Sequence, residues 1–126
     1  MAALSQTHAL ALLTSSLRGN TVYLALCNSD PTSADSGTEV SGGSYARRIV
    51  SFSEPSLVNG VATCVNSADV TFPRATSSWG EVTHWEVKDA ATGGSMKWFG
   101  SFTRSKTVET NDEIKIPSGE LRITLE

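Results

Sequence analysis

The residues able to do chemistry in this chain are scattered, and their spacing argues against most reactions. His8 falls on an expected helix and His84 on an expected strand. A lone histidine fits surface packing or a hydrogen bond better than catalysis or zinc binding, both of which need further groups nearby. Serine and threonine are plentiful, yet no Gly-x-Ser-x-Gly turn sets a nucleophile beside a base. Glycoside hydrolysis needs only two carboxyls at a suitable separation. Here, however, Asp30, Asp35, Glu39, Asp89, Glu109, Asp112 and Glu113 all fall in turns or at strand ends, the distribution of a solvated rim. Asp30, Asp35 and Glu39 lie among serine and glycine and offer calcium as an alternative, although their spacing matches no EF-hand loop. No catalytic residue, metal ligand or cofactor site is assigned, and enzyme activity is not expected. The two cysteines, Cys27 and Cys64, make no disulfide framework. Separately buried thiols are expected, with one bridge between neighbouring strands as the alternative.

The elements that would position these residues are mostly strands. Residues 72–102 hold all three tryptophans and read as two strands joined by Asp89-Ala90-Ala91-Thr92-Gly93-Gly94. Thr83, Trp85 and Val87 alternate with Val82, His84 and Glu86, and Met96, Trp98, Gly100 and Phe102 alternate with Lys97, Phe99 and Ser101, the period of a sheet. Trp85 and Trp98 are expected to be largely buried, facing each other or nearly so. Asn59-Gly60 between Leu57-Val58 and Val61 signals a type I′ hairpin. Further strands are expected at residues 21–27, 47–52, 68–72, 107–109, 113–116 and 121–125. Pro73 and Pro117 sit at strand ends, where a missing donor does least harm. Eight or nine short strands at regular spacing predict a mainly β fold, an antiparallel β-sandwich with jelly-roll topology as one form of it. The predicted core comprises Leu24, Leu26, Val50, Phe52, Val70, Phe72, Ile116, Leu121, Ile123 and Leu125.

Two segments interrupt this pattern. Residues 4–17 predict the one α-helix, with Leu10, Leu13 and Leu17 on one stripe, and Gly19-Asn20 supply a stop that tolerates the left-handed conformation. The chain is thus expected to divide into an N-terminal helix or arm, residues 1–20, and a single β-sandwich domain, residues 21–126. The helix either packs on the sandwich or docks on a neighbour; Leu12 lies off its stripe. Residues 28–44 form a long loop rich in Asp, Ser and Gly, of a length uncommon unless it binds, docks or moves.

The composition suits one compact domain. A chain of 126 residues, 39% apolar and 18% charged, can bury a core without staples. A net charge of −3 argues against nucleic-acid binding. No secretory signal is expected in the N-terminal residues, and no apolar run approaches the length of a membrane span.

Several blocks resemble a family of small virion structural proteins of tailed bacteriophages, commonly labelled tail fibre proteins or structural proteins. The likeness includes Trp79-Gly80-x-Val82-Thr83-His84, and its specific blocks are Glu39-Val40-Ser41-Gly42-Gly43-Ser44-Tyr45-Ala46-Arg47 and Asp89-Ala90-Ala91-Thr92-Gly93-Gly94. Weaker matches lie in Tyr23-Leu24-Ala25-Leu26, Ser29-Asp30-Pro31-Thr32, Lys106-Thr107-Val108 and the segment from Pro117 to Leu125, so that the likeness runs in order over nearly the whole chain. Cys27, Glu86 and Lys88 depart from the pattern.

The resemblance implies a place in the virion and no chemistry. It implies a non-enzymatic subunit of a tail fibre, baseplate or neck-type adaptor, assembled in the host cytoplasm. Its partners would be other virion structural proteins and copies of itself, with no nucleic acid or membrane. The alternatives are a capsid decoration or cement protein, and a receptor-binding module that binds host glycan. For assembly, the expected contact residues are Leu10, Leu13 and Leu17 on the helix and Asp30, Asp35, Glu39 and Tyr45 in the loop. For glycan stacking, the candidate is Trp79.

Overall fold

The computed structural model describes residues 5–125. Ser5 caps the first helix, α1 (Gln6–Leu13), its hydroxyl accepting the His8 N–H. The helix continues as a π-helical turn, Thr14–Arg18, closed by a hydrogen bond from Gly19 N–H to the Thr14 carbonyl. Gly19 does not adopt the expected left-handed stop: its φ is −81°. Its place is set by crowding, since a Cβ there would lie 2.9 Å from the Ser15 carbonyl oxygen. The expected start at Leu4 lies outside the described residues.

Among the described residues nine strands follow: β1 (Val22–Cys27), β2 (Arg48–Val50), β3 (Ser56–Val58), β4 (Val61–Val65), β5 (Val70–Thr71), β6 (Gly80–Lys88), β7 (Met96–Val108), β8 (Lys115–Ile116) and β9 (Arg122–Leu125). They form antiparallel sheets in the orders β2-β1-β6-β7, β3-β4-β9 and β5-β8. The fold is therefore mainly β with one short N-terminal helix. The Asn59-Gly60 turn has φ of 51° and 82°, the pair of positive values a type I′ turn needs, and it sets Val58 opposite Val61.

One apolar cluster joins the elements. Leu24 and Leu26 of β1, Trp85 and Val87 of β6, Ala62 and Cys64 of β4, Ile116 of β8 and Ile123 of β9 meet in it. The helix adds Ala9, Leu13 and Leu17, and α1 packs against β4, β3 and β9. Residues 1–20 and 21–126, read from the sequence as arm and domain, thus share one core through the part of the arm that is described. Of the ten predicted core residues nine are buried, and Leu125 packs half-buried against them.

The strand pattern breaks in the β6–β7 hairpin. Val82 pairs with Lys106 and His84 with Ser101, so β7 advances five residues while β6 advances two. This bulge puts Val82 in the core with Trp85 and Val87, although simple alternation places it opposite them. It also carries β7 through residues that the sequence pattern splits into two strands. Trp85 is buried, whereas Trp98 is only half-buried. The two do not face each other, since Trp85 sits opposite Gly100 and Trp98 opposite Val87.

At the end of β4, Asn66 is wholly buried and fully bonded. Its side chain donates to the Ala68 and Pro117 carbonyls at 3.0 and 2.9 Å and accepts from Leu121 N–H at 2.9 Å. Asn66→Ala would orphan the Ala68 carbonyl and the Leu121 N–H and leave the Pro117 carbonyl only its bond from Glu120 N–H. The expected cost is about 2–4 kcal/mol in a urea melt, with native spectra retained.

Candidate functional site

The two most distinctive blocks of the sequence, residues 39–47 and 89–94, meet in space. Arg47 joins them. Its Nε donates to Glu39 Oε2 at 2.9 Å and one Nη to Glu39 Oε1 at 2.8 Å, a two-pronged grip on one carboxylate. The other Nη donates to the Ala90 and Gly93 carbonyls, both at 2.8 Å. The hairpin tip is shaped to offer them: Asp89 Oδ1 accepts Ser95 N–H, and Gly93 and Gly94 have φ of 63° and 74°. The Arg47 side chain is 7% exposed and that of Glu39 26%.

Tyr45 fixes the same carboxylate from below. Its hydroxyl donates to Glu39 Oε2 at 2.6 Å and accepts Leu26 N–H of β1 at 3.0 Å. Its ring stacks parallel to Phe72 and meets Trp79 edge-on at 5.4 Å between centroids. Trp79 Nε1 in turn donates to the Gly43 carbonyl at 3.0 Å. Gly43 is required here twice over, by a φ of 58° and because a Cβ would lie 2.7 Å from Trp79 Nε1. Burial pushes the Tyr45 hydroxyl's pKa up, and the bond it donates to Glu39 adds to this. Burial also pushes the Glu39 carboxyl up, but its bonds from Arg47 and Tyr45 and the guanidinium charge outweigh this and hold it below the usual carboxylate range.

A second polar cluster lies on the same face of the four-stranded sheet. Lys88 Nζ donates to Asp35 Oδ2 at 2.7 Å and stands 3.7 Å from Glu86 Oε2. Cys27 Sγ donates to Glu86 Oε1 at 3.0 Å. The loop after β1 covers this cluster. Asn28 N–H reaches the Thr38 carbonyl, Val40 N–H the Leu26 carbonyl, and Glu39 bridges Cys27 as a strand would. Pro31, within the loop, is fully buried. Beneath the loop, Ala25 and Cys27 have no exposed surface, and the Glu86 side chain is only 3% exposed. Glu86 and Lys88, the charged departures within the Trp85 strand, are therefore partners of this loop.

The structure places the expected contact residues differently from one another. Leu13 and Leu17 are spent in the chain's own core, and Leu10 is half-buried against it, so this stripe leaves little for a neighbour. Asp35, Glu39 and Tyr45 are engaged within the chain, and for the two acids this departs from the solvated rim read from their positions. Asp30 is exposed and accepts Thr32 N–H in a local turn. The three loop acids thus have separate duties, and among the described residues no group of three or more His, Cys, Asp or Glu could hold a metal ion. Trp79 is 5% exposed and presents no face on which a sugar could stack. His8 is exposed on the helix, and His84 Nδ1 lies 2.8 Å from Thr83 Oγ1. Both cysteines are free and buried, and burial pushes the Cys64 thiol up to about 11.

A cleft of about 480 Å³ opens beside the Arg47 clasp, between residues 39–47 and 91–93. Of the side chains that line it, Tyr45 and Arg47 already bond to Glu39, and Ser41 and Thr92 add two hydroxyls. What the arrangement does best is hold shape: one guanidinium and one phenol tie a loop, a hairpin tip and a central strand together.

The family model described as Podophage GP4 fiber I protein gp80 matches residues 3–124. No curated protein matches the chain.

Proposed function

Because the chain belongs to the podophage fibre I protein family, we propose that it is a non-enzymatic subunit of the tail fibre apparatus that works through contacts with copies of itself and with other virion proteins. The observation that carries this reading is the family match over nearly the whole chain. The geometry agrees with it, since the polar groups at the centre of the family-like blocks serve internal ties. The surface available for assembly lies elsewhere than the helix stripe. Strand β7 runs along the edge of its sheet for 13 residues with no strand partner beyond it among the described residues. Phe99 on this strand is 39% exposed, and Ile49 on β2, the opposite edge, is 62% exposed. Free edges and exposed large apolar side chains are costly on a solitary subunit and are covered when copies pack around a symmetry axis.

The test is to measure molecular mass in solution for the native chain and for Phe99→Arg and Ile49→Arg. The native chain should be oligomeric, and at least one variant should shift to monomer with its fold unchanged and fail to enter virions. A native monomer that contacts no copy of itself in a virion reconstruction overturns the reading.

A further inference from the structure

The sheet face under residues 28–39 is one positive charge short. Three carboxyls gather there, Asp35, Glu39 and Glu86, against two cations, Arg47 and Lys88. Arg47 is committed to Glu39 by two hydrogen bonds. Lys88 is therefore left between two carboxyls, bonding Asp35 at 2.7 Å and standing 3.7 Å from Glu86. Glu86 Oε2 is buried and has no hydrogen-bond partner while it acts as an acceptor. A buried, unpartnered carboxylate oxygen is costly, whereas the same oxygen bearing a proton becomes a donor.

We propose that a single proton held on Glu86 and shared with Asp35 is the third cation, and that this proton latches residues 28–39 onto the sheet. The protonated Glu86 donates to the Asp35 carboxylate, which also accepts from Lys88, so both carboxyls are satisfied and the buried charge is balanced. When the pH rises the proton passes to solvent hydroxide as water. Two anionic carboxylates then face one ammonium, and the arm bearing Asp35 loosens because it alone can move away from the strand. Burial first, and the hydrogen bond with Asp35 second, push the Glu86 carboxyl up. The Asp35 carboxyl is held down by its hydrogen bonds with Glu86 and Lys88.

Glu86 stabilises the closed arm below its unfolded value, and that contribution is lost as the pH rises through its folded value. Asp35 and Glu39 act in the opposite sense and lose theirs as the pH falls. The other titratable groups around Glu86 are Cys27 from β1, Arg47 ahead of β2, and His84 and Lys88 on the same face of β6. From β7 the residue opposite is the uncharged Phe99.

The experiment follows each glutamate side-chain carboxyl by carbon NMR through a pH titration of the full chain. Hydrogen-exchange protection of the Asn28 and Val40 amides, which tie the arm to β1, is measured in the same samples. The Glu86 carboxyl should titrate above every other glutamate. Protection factors, corrected for intrinsic exchange, should fall by about tenfold per pH unit between the ordinary glutamate range and its midpoint, and level off above that midpoint. In Glu86→Gln, whose amide can donate as the acid does, protection should stay flat across that range. Asp35→Asn, at a partly exposed position, keeps the test decisive if the glutamine variant does not fold, and it should return the Glu86 titration toward ordinary values. Titration of Glu86 among the exposed carboxyls overturns the proposal. So does an unchanged Glu86 midpoint in Asp35→Asn, or an equal loss of protection in Glu86→Gln.

Discussion

Arg47→Ala is expected to lower the unfolding free energy by about 3–5 kcal/mol, the range found when one partner of a buried ion pair is removed. The loss is large because the guanidinium serves three acceptors at once. Without it, the Glu39 carboxylate keeps only the Tyr45 hydroxyl, and the Ala90 and Gly93 carbonyls lose the donor on which the hairpin tip is folded. Arg47→Lys should recover only part of this, since an ammonium cannot grip the carboxylate with two parallel bonds and still reach the hairpin. Urea unfolding of the three proteins measures the difference. Equal stability of the native chain and the alanine variant would show that residues 39–47 and 89–94 are independent. Acid should mimic the mutation in part. Glu39 is held below its unfolded value, so its contribution is present above that value and fades as the pH falls through the folded one.

Trp85→Ala should cost a comparable amount, about 3–5 kcal/mol, as aromatic truncations in cores do. The ring lies flat over Gly100, where a Cβ would come within 2.5 Å of Trp85 Cζ2. Strand β7 has thus given up a side chain to admit it. Neither neighbouring backbone can close the space, because both are fixed in the sheet ladder. The half-buried Trp98 should cost less when truncated to alanine. A thermal or urea melt of both variants orders them, and a larger loss at Trp98 would contradict the assignment of Trp85 as the anchor of this hairpin.

Much of the fold was legible because its signals are local. The Asn59-Gly60 turn, the alternation in β1 and the core positions Phe72, Ile116, Leu121 and Ile123 each follow from a few consecutive residues. The β6–β7 bulge was not legible, since a period of two carries through Val82 and Thr83 without a break; only the pairing with β7 reveals it. The site was legible in outline and misread in kind. Its blocks, residues 39–47 and 89–94, stood out by their residues. Sequence position alone, however, made Glu39 and Asp35 part of a rim, while the fold turns Glu39 inward to Arg47 and Asp35 back to Lys88. The charged Glu86 and Lys88 in an otherwise apolar strand were the available clue. Two charges on one face of a strand ask what covers them, and the only long segment free to do so was residues 28–44.

The sheet order β2-β1-β6-β7 also has a consequence for how the chain is made. Strand β1 lies at the centre of its sheet, yet the strand it pairs with on one side comes much later: Cys27 and Glu86, bonded across that seam, are 59 residues apart. At about 5–20 residues per second, a ribosome delivers β6 several seconds after β1 has emerged. Throughout that interval β1 has only the short β2 to pair with, and β4 waits as long for β9, Cys64 and its partner Ile123 being also 59 residues apart. Closing such distant pairs is slow relative to helix formation. The nascent protein therefore passes through a sticky stage, and crowded synthesis of many copies makes early capture by a chaperone, or early aggregation, the step that limits yield.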